Sequence, residues 1–191
     1  MGAVPHLADP VAVGAAVGAL ALILFAAAWH KLSEPEVFAG ALQAYQLLPT
    51  ALVSAAARLL PVLEILLGIG MLVPATRAPA LLATALLMLG YASAIGINLL
   101  RGRDEIDCGC GGESHPLSWA LVARNAVLAV AALAVAGPTV ERGFVWLDGV
   151  TLIVGVLAFY TLYLMADELL RQSSRLRQLR HRHAHGEVEV D

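Results

Sequence analysis

VAVGAAVGALALILFAAAWH, residues 11–30, decides the fold class: it holds no Asp, Glu, Lys or Arg. As a helix at about 1.5 Å per residue it reaches about 30 Å, the thickness of a bilayer's hydrocarbon core. Lipid offers the backbone no hydrogen-bond partner, so a spanning segment must be a helix or a strand of a closed barrel. Alternating ten-residue strands are absent from this chain. Four further apolar runs of comparable length follow, near residues 51–73, 78–100, 118–136 and 144–165.

Composition agrees with that reading. Of 191 residues, 59% are hydrophobic and 14% charged, against roughly 45–50% and about 25% in soluble domains. The sequence predicts an all-α integral membrane protein: an antiparallel bundle of about five transmembrane helices, multi-pass in the cell membrane, with the lipid bilayer as its first partner. Pro49, Pro74, Pro79, Pro116 and Pro138 fall at or beside the expected helix ends, where a missing N–H is tolerated. The first run is read as a span and not as a cleaved leader, since residues 1–10 carry no Lys or Arg and the run exceeds a secretory h-region. Gly14 and Gly18 are spaced for close helix packing, read here as packing within one subunit. The short connections after the second and fourth runs predict antiparallel neighbours. Basic residues cluster only in the C-terminal tail, without the interleaved aromatics of a nucleic-acid site, so nucleic-acid binding is excluded.

Chemistry concentrates in RGRDEIDCGCGGESHPLSW, residues 101–119, which holds both cysteines of the chain. Cys108 and Cys110 stand one residue apart among Gly109, Gly111 and Gly112. Three readings compete: a redox pair, two thiolate metal ligands, or small residues in a turn. A disulfide closed over one intervening residue would be strained and therefore readily reduced, which suits exchange better than support. Asp104, Glu105, Asp107 and Glu113 disfavour thiolate, whereas Arg101, Arg103 and the following helix N-terminus favour it. As a metal site, Cys108, Cys110 and His115 supply three ligands, but structural zinc wants four and wider spacing; His30 is the candidate for the fourth. Redox exchange is the preferred reading, with no cofactor required.

Ionisable groups inside apolar runs come next. Glu64 and Arg124 each cost at least about 2.5–3.5 kcal/mol on insertion scales unless paired or hydrated, so both should face the bundle interior. A Glu64–Arg124 ion pair is one expectation. Trp29 and Lys31 read as interfacial anchors. His30 and His115 are candidate proton acceptors for a thiol. Asn98 is expected to hydrogen-bond between helices or to the cysteine loop, and Asp148 to face the headgroups.

Several of these residues together resemble the MauE/DoxX-like family of small redox-associated membrane proteins. The resemblance rests on Lys31-Leu32, Leu60-Pro61 with Glu64, Asn98 with Arg101-Gly102, Asp107-Cys108-Gly109-Cys110, and Arg124-Asn125. Gly111-Gly112 departs from the family's aromatic before the next glycine. The resemblance implies a four-helix family domain over residues 1–140, with 141–166 as an additional fifth span. Residues 167–191 remain as a basic juxtamembrane helix, carrying Arg171, Arg175, Arg177, Arg180 and Arg182, followed by a disordered end. It also implies a thiol–disulfide role beside a thioredoxin-like partner, with Cys108 and Cys110 reacting and Glu64, Arg124, Asn125, Asn98, Lys31, His30 and His115 in support. The implied client thiols are those of a protein such as the small subunit of methylamine dehydrogenase. The alternative is a non-enzymatic assembly or metal-binding subunit. A quinone acceptor is raised by this chemistry but argued against by the presence of only one cysteine pair. Lys and Arg counts put the cysteine loop on the cytoplasmic side, whereas the resemblance implies the opposite side.

Overall fold

A computed structural model of the chain describes residues 9–103, 106, 117–140, 143 and 145–186, leaving out the side chains of 171 and 173–186. Cys108, Cys110 and His115 lie outside the described residues, as does the tail beyond Gly186. Six helices are present, and no strand among the described residues: α1 Pro10–Ser33, α2 Pro35–Tyr45, α3 Thr50–Leu72, α4 Arg77–Leu100, α5 Trp119–Ala134 and α6 Trp146–Gly186.

Local chemistry explains the helix ends. Asp9 caps α1, its carboxylate accepting from the Val11 N–H at 2.8 Å, with Pro10 in the first turn. Pro35 disfavours the helical region for Glu34, which sits at φ −131° and ψ 63°, ending α1 and letting α2 start at once. Gln46 closes α2 in the left-handed region at φ 50°. The Thr76 hydroxyl donates to the Gly70 carbonyl at 2.8 Å and tightens the turn between α3 and α4.

Four helices, α1, α3, α4 and the first 25 residues of α6, are long and apolar enough to cross a membrane. This is a multi-pass membrane protein. The fourth expected span is shorter than its apolar run: α5 has 16 residues, or about 24 Å of helix. The last span and the juxtamembrane helix expected after it form one element, since α6 runs unbroken for 41 residues. A helix absent from the expectation, α2, fills the loop after α1.

The bundle is organised around α1, which touches α2, α3, α5 and α6, while α4 lies between α3 and α5. As expected, α3 and α4 are neighbours. The last two runs also meet, through Arg124 of α5 and Asp167 of α6, but the main packing of α5 is on α4 and that of α6 is on α1. The glycines explain why. A Cβ on Gly14 would lie 2.7 Å from Leu152 Cδ1, one on Gly18 2.6 Å from Val156 Cγ2, and one on Gly155 2.8 Å from the Ala15 Cβ. Small residues let α1 and α6 approach closely, so the Gly14 and Gly18 spacing serves packing within one chain.

Candidate functional site

The most deeply buried charges belong to Lys31 and Glu64, 6% and 0% exposed. Side chains on a helix lean toward its N-terminus, so Lys31, two residues from the end of α1, reaches back into the bundle. Its ammonium meets Glu64 Oε1. The Tyr91 hydroxyl, from α4, donates to the same oxygen at 2.8 Å. The Lys31 Nζ also lies 5.1 Å from the centroid of the Tyr91 ring and 5.4 Å from that of Phe38, within cation–π range. Glu64 Oε2 is buried and has no hydrogen-bond partner among the described residues.

These contacts correct two expectations. Lys31 is not an interfacial anchor, and Glu64 does not pair with Arg124. Glu64 lies 14 residues into α3, about 21 Å from Thr50, while Lys31 sits at the very end of α1. They meet because α1 and α3 pack on each other with a stagger that sets the end of α1 level with the middle of α3. Arg124 pairs instead with Asp167 of α6, Nη1 to Oδ1 at 2.5 Å. Both Glu64 and Arg124 do face the interior, as expected.

Phe38, Ala41 and Tyr45 form the buried stripe of α2, at the spacing of one helix face. That stripe roofs a cavity of about 240 Å³ whose walls include Lys31, Tyr91, Leu60 and Ile95. Tyr45 and Ile95 belong as well to a second apolar cluster with Leu117 and Leu121, against which Ile106 packs. The Leu117 N–H donates to the Ile106 carbonyl at 3.2 Å. Ile106 and Leu117 bound the segment that carries both cysteines. Their hydrogen bond makes the chain leave and return at one point beside the cavity wall.

The remaining candidates sit around this centre in lesser roles. Asn98 is fully buried, but its Nδ2 donates within its own helix to the Ala94 carbonyl at 3.0 Å rather than between helices. Its backbone carbonyl accepts from the N–H groups of Arg101 and Arg103. Asn125 likewise donates to the Leu121 carbonyl at 2.9 Å. Arg103 reaches Gln46 Oε1 at 3.1 Å and so ties the end of α4 to the end of α2. His30 is half-buried at the end of α1, and Trp29 beside it is 75% exposed, as an interfacial anchor should be. Asp148 does not face the headgroups: it is buried, and its Oδ2 accepts from the Val145 N–H at the start of α6.

Sequence reasoning missed Tyr91, Phe38 and Asp167. A tyrosine hydroxyl deep in an apolar run was the available signal for Tyr91, since such a group needs a partner when buried. Asp167 was assigned to the tail because it borders the last run.

The fold and the site define a multi-pass helical membrane protein with a buried lysine–glutamate–tyrosine cluster beneath a short roofing helix. The sequence profile of the family described as methylamine utilisation protein MauE matches residues 9–138, and the chain belongs to that family. It is 44% identical over 119 residues to the methylamine utilization protein MauE of Paracoccus denitrificans, a match spanning 61% of this chain and 64% of that protein. Its MauE relative in Methylorubrum extorquens is 41% identical over 132 residues, 68% of this chain and 71% of the relative. That of Paracoccus versutus is 40% identical over 163 residues, 83% of this chain and 86% of the relative. No solved structure matches the chain. Lys31, Glu64, Tyr91 and Arg124 fall inside the matched region, and Asp167 falls outside it.

Proposed function

We propose that this chain is a membrane thiol–disulfide exchange component of methylamine utilisation, with Cys108 and Cys110 as the reacting pair and a thioredoxin-like protein as its partner. The observation that carries the reading is the hydrogen bond between Leu117 and Ile106. Ile106 packs against the cluster of Tyr45 and Ile95, which also line the cavity beside Lys31 and Tyr91, so both ends of the cysteine-bearing segment are anchored at that cavity's wall. The relatives' names supply methylamine utilisation as the setting. The family resemblance supplies the client class: a disulfide-rich protein such as the small subunit of methylamine dehydrogenase.

In the exchange, a thiolate of one protein attacks a disulfide sulfur of the other, forming a mixed disulfide and expelling a thiolate. The neighbouring cysteine then attacks the mixed disulfide and releases the partner. Cys108→Ser or Cys110→Ser should therefore trap a covalent adduct with a thioredoxin-fold protein, visible on a non-reducing gel and dissolved by reductant. Absence of an adduct from both variants, with methylamine growth intact and metal bound stoichiometrically to the wild type, would replace exchange by a ligand role for Cys108, Cys110 and His115.

A further inference from the structure

We propose that the cavity under α2 binds the ring of a lipid-soluble quinone, with the Lys31 ammonium donating to a ring carbonyl. The chemistry of the walls selects this occupant. Phe38, Tyr45 and Tyr91 offer flat aromatic surfaces around one buried cation. An ammonium has three N–H donors, and the only oxygen it meets among the described residues is Glu64 Oε1. The remaining donors suit an acceptor oxygen. Because Lys31 is already neutralised by Glu64, the occupant that balances charge is neutral, which favours a carbonyl over a carboxylate or phosphate.

Size and access point the same way. Pockets for whole drug-sized ligands run to roughly 300–1,000 Å³, so a cavity of about 240 Å³ takes one substituted ring and leaves the rest of the molecule outside. Leu42, Leu47 and Leu48 line the cavity, and Leu47 and Leu48 are exposed, 36% and 39%. An apolar rim of this kind gives an isoprenoid tail a way out toward lipid.

This proposal deepens the exchange reading and, in its redox part, rests on it. Oxidation of the Cys108 and Cys110 thiols forms one S–S bond and releases two electrons and two protons. A quinone takes up both, becoming a quinol with a proton on each ring oxygen. A second cysteine pair is unnecessary when the acceptor ring lies beside the wall on which the cysteine segment is anchored.

The test is titration of the purified full chain in detergent with decylubiquinone, followed by calorimetry, in the wild type and in a Cys108→Ser/Cys110→Ser background. Saturable one-to-one binding is expected in both. Leu42→Trp, which fills the cavity and leaves every charge in place, should abolish it. Lys31→Met should weaken it about tenfold or more, the loss expected for one hydrogen bond to a charged group. Ala131→Phe, in the separate cleft between α1, α5 and α6, should leave it unchanged. No saturable binding, equal affinity for oleate, or loss through Ala131→Phe rather than Leu42→Trp would overturn the assignment. Binding that persists in the cysteine-free background while no mixed disulfide can be trapped would sink the exchange reading and leave the quinone site standing.

Discussion

Lys31–Glu64 and Arg124–Asp167 each tie two helices together inside an apolar bundle, yet the first pair is more deeply buried than the second. The Lys31 and Glu64 side chains are 5% and 0% exposed, and the Tyr91 hydroxyl with the rings of Tyr91 and Phe38 completes their surroundings. Those of Arg124 and Asp167 are 12% and 10% exposed, and Arg124 borders an apolar cleft of about 570 Å³. The helices around them differ in the same sense. α1, α3 and α4 lie wholly within the family-matched region, whereas α6 lies beyond it and has none of its most apolar stretch buried. Lys31–Glu64 is thus part of the family core, while Arg124–Asp167 fastens a peripheral helix to that core.

The sharpest way to break this comparison is to remove one partner of the more deeply buried pair. Lys31→Met or Glu64→Leu alone leaves a buried charge uncompensated and should cost about 3–5 kcal/mol of stability, whereas the double replacement should be milder. Denaturant titration of the four proteins of that cycle in detergent checks it. Additive losses would show that the two side chains do not interact as the structure has them.

Arg124→Met should cost less, about 1–3 kcal/mol, as expected for a partly wet polar group left without its partner. It should loosen α6 selectively, so amide exchange should rise in α6 while α3 and α4 stay protected. Equal deprotection of the whole bundle would erase the distinction between core and fastener.

A smaller effect is expected at the seam between α1 and α6. Gly155→Ala presses a methyl against the rigid Ala15 Cβ and should cost about 1–2 kcal/mol by overpacking. Gly14→Ala meets only the tip of Leu152, a flexible chain that can turn aside, and should cost about half as much or less. Thermal melts of both variants in one detergent would reveal a reversed order if α6 sits differently on α1.

How much of this was legible differs from element to element. The second and third runs, read at residues 51–73 and 78–100, lie within one residue of α3 and α4, because continuous apolarity has one structural solution in lipid. α2 carries its stripe openly at Phe38, Ala41 and Tyr45, but eleven residues inside a polar loop give a weak signal. The ion pairing was not legible. Depth counted along one helix says nothing of its stagger against another, and the flexible stem of lysine let Lys31 reach a carboxylate that its place at a helix end had seemed to rule out.

By itself the sequence determined that the chain is a helical membrane protein, roughly where it crosses, and that Glu64 and Arg124 must turn inward. These follow from local rules: rise per residue, backbone satisfaction in lipid, and the cost of an unpaired charge there. Only the tertiary structure decided which charge meets which, that Tyr91 completes the cluster, and that α2 roofs a cavity beside the anchored ends of the cysteine segment. It also decided that α6 packs mainly on α1. Those outcomes depend on the relative shift and facing of whole helices, set by small-residue contacts such as Gly14, Gly18 and Gly155 summed across the bundle, and no pattern within a single helix records them.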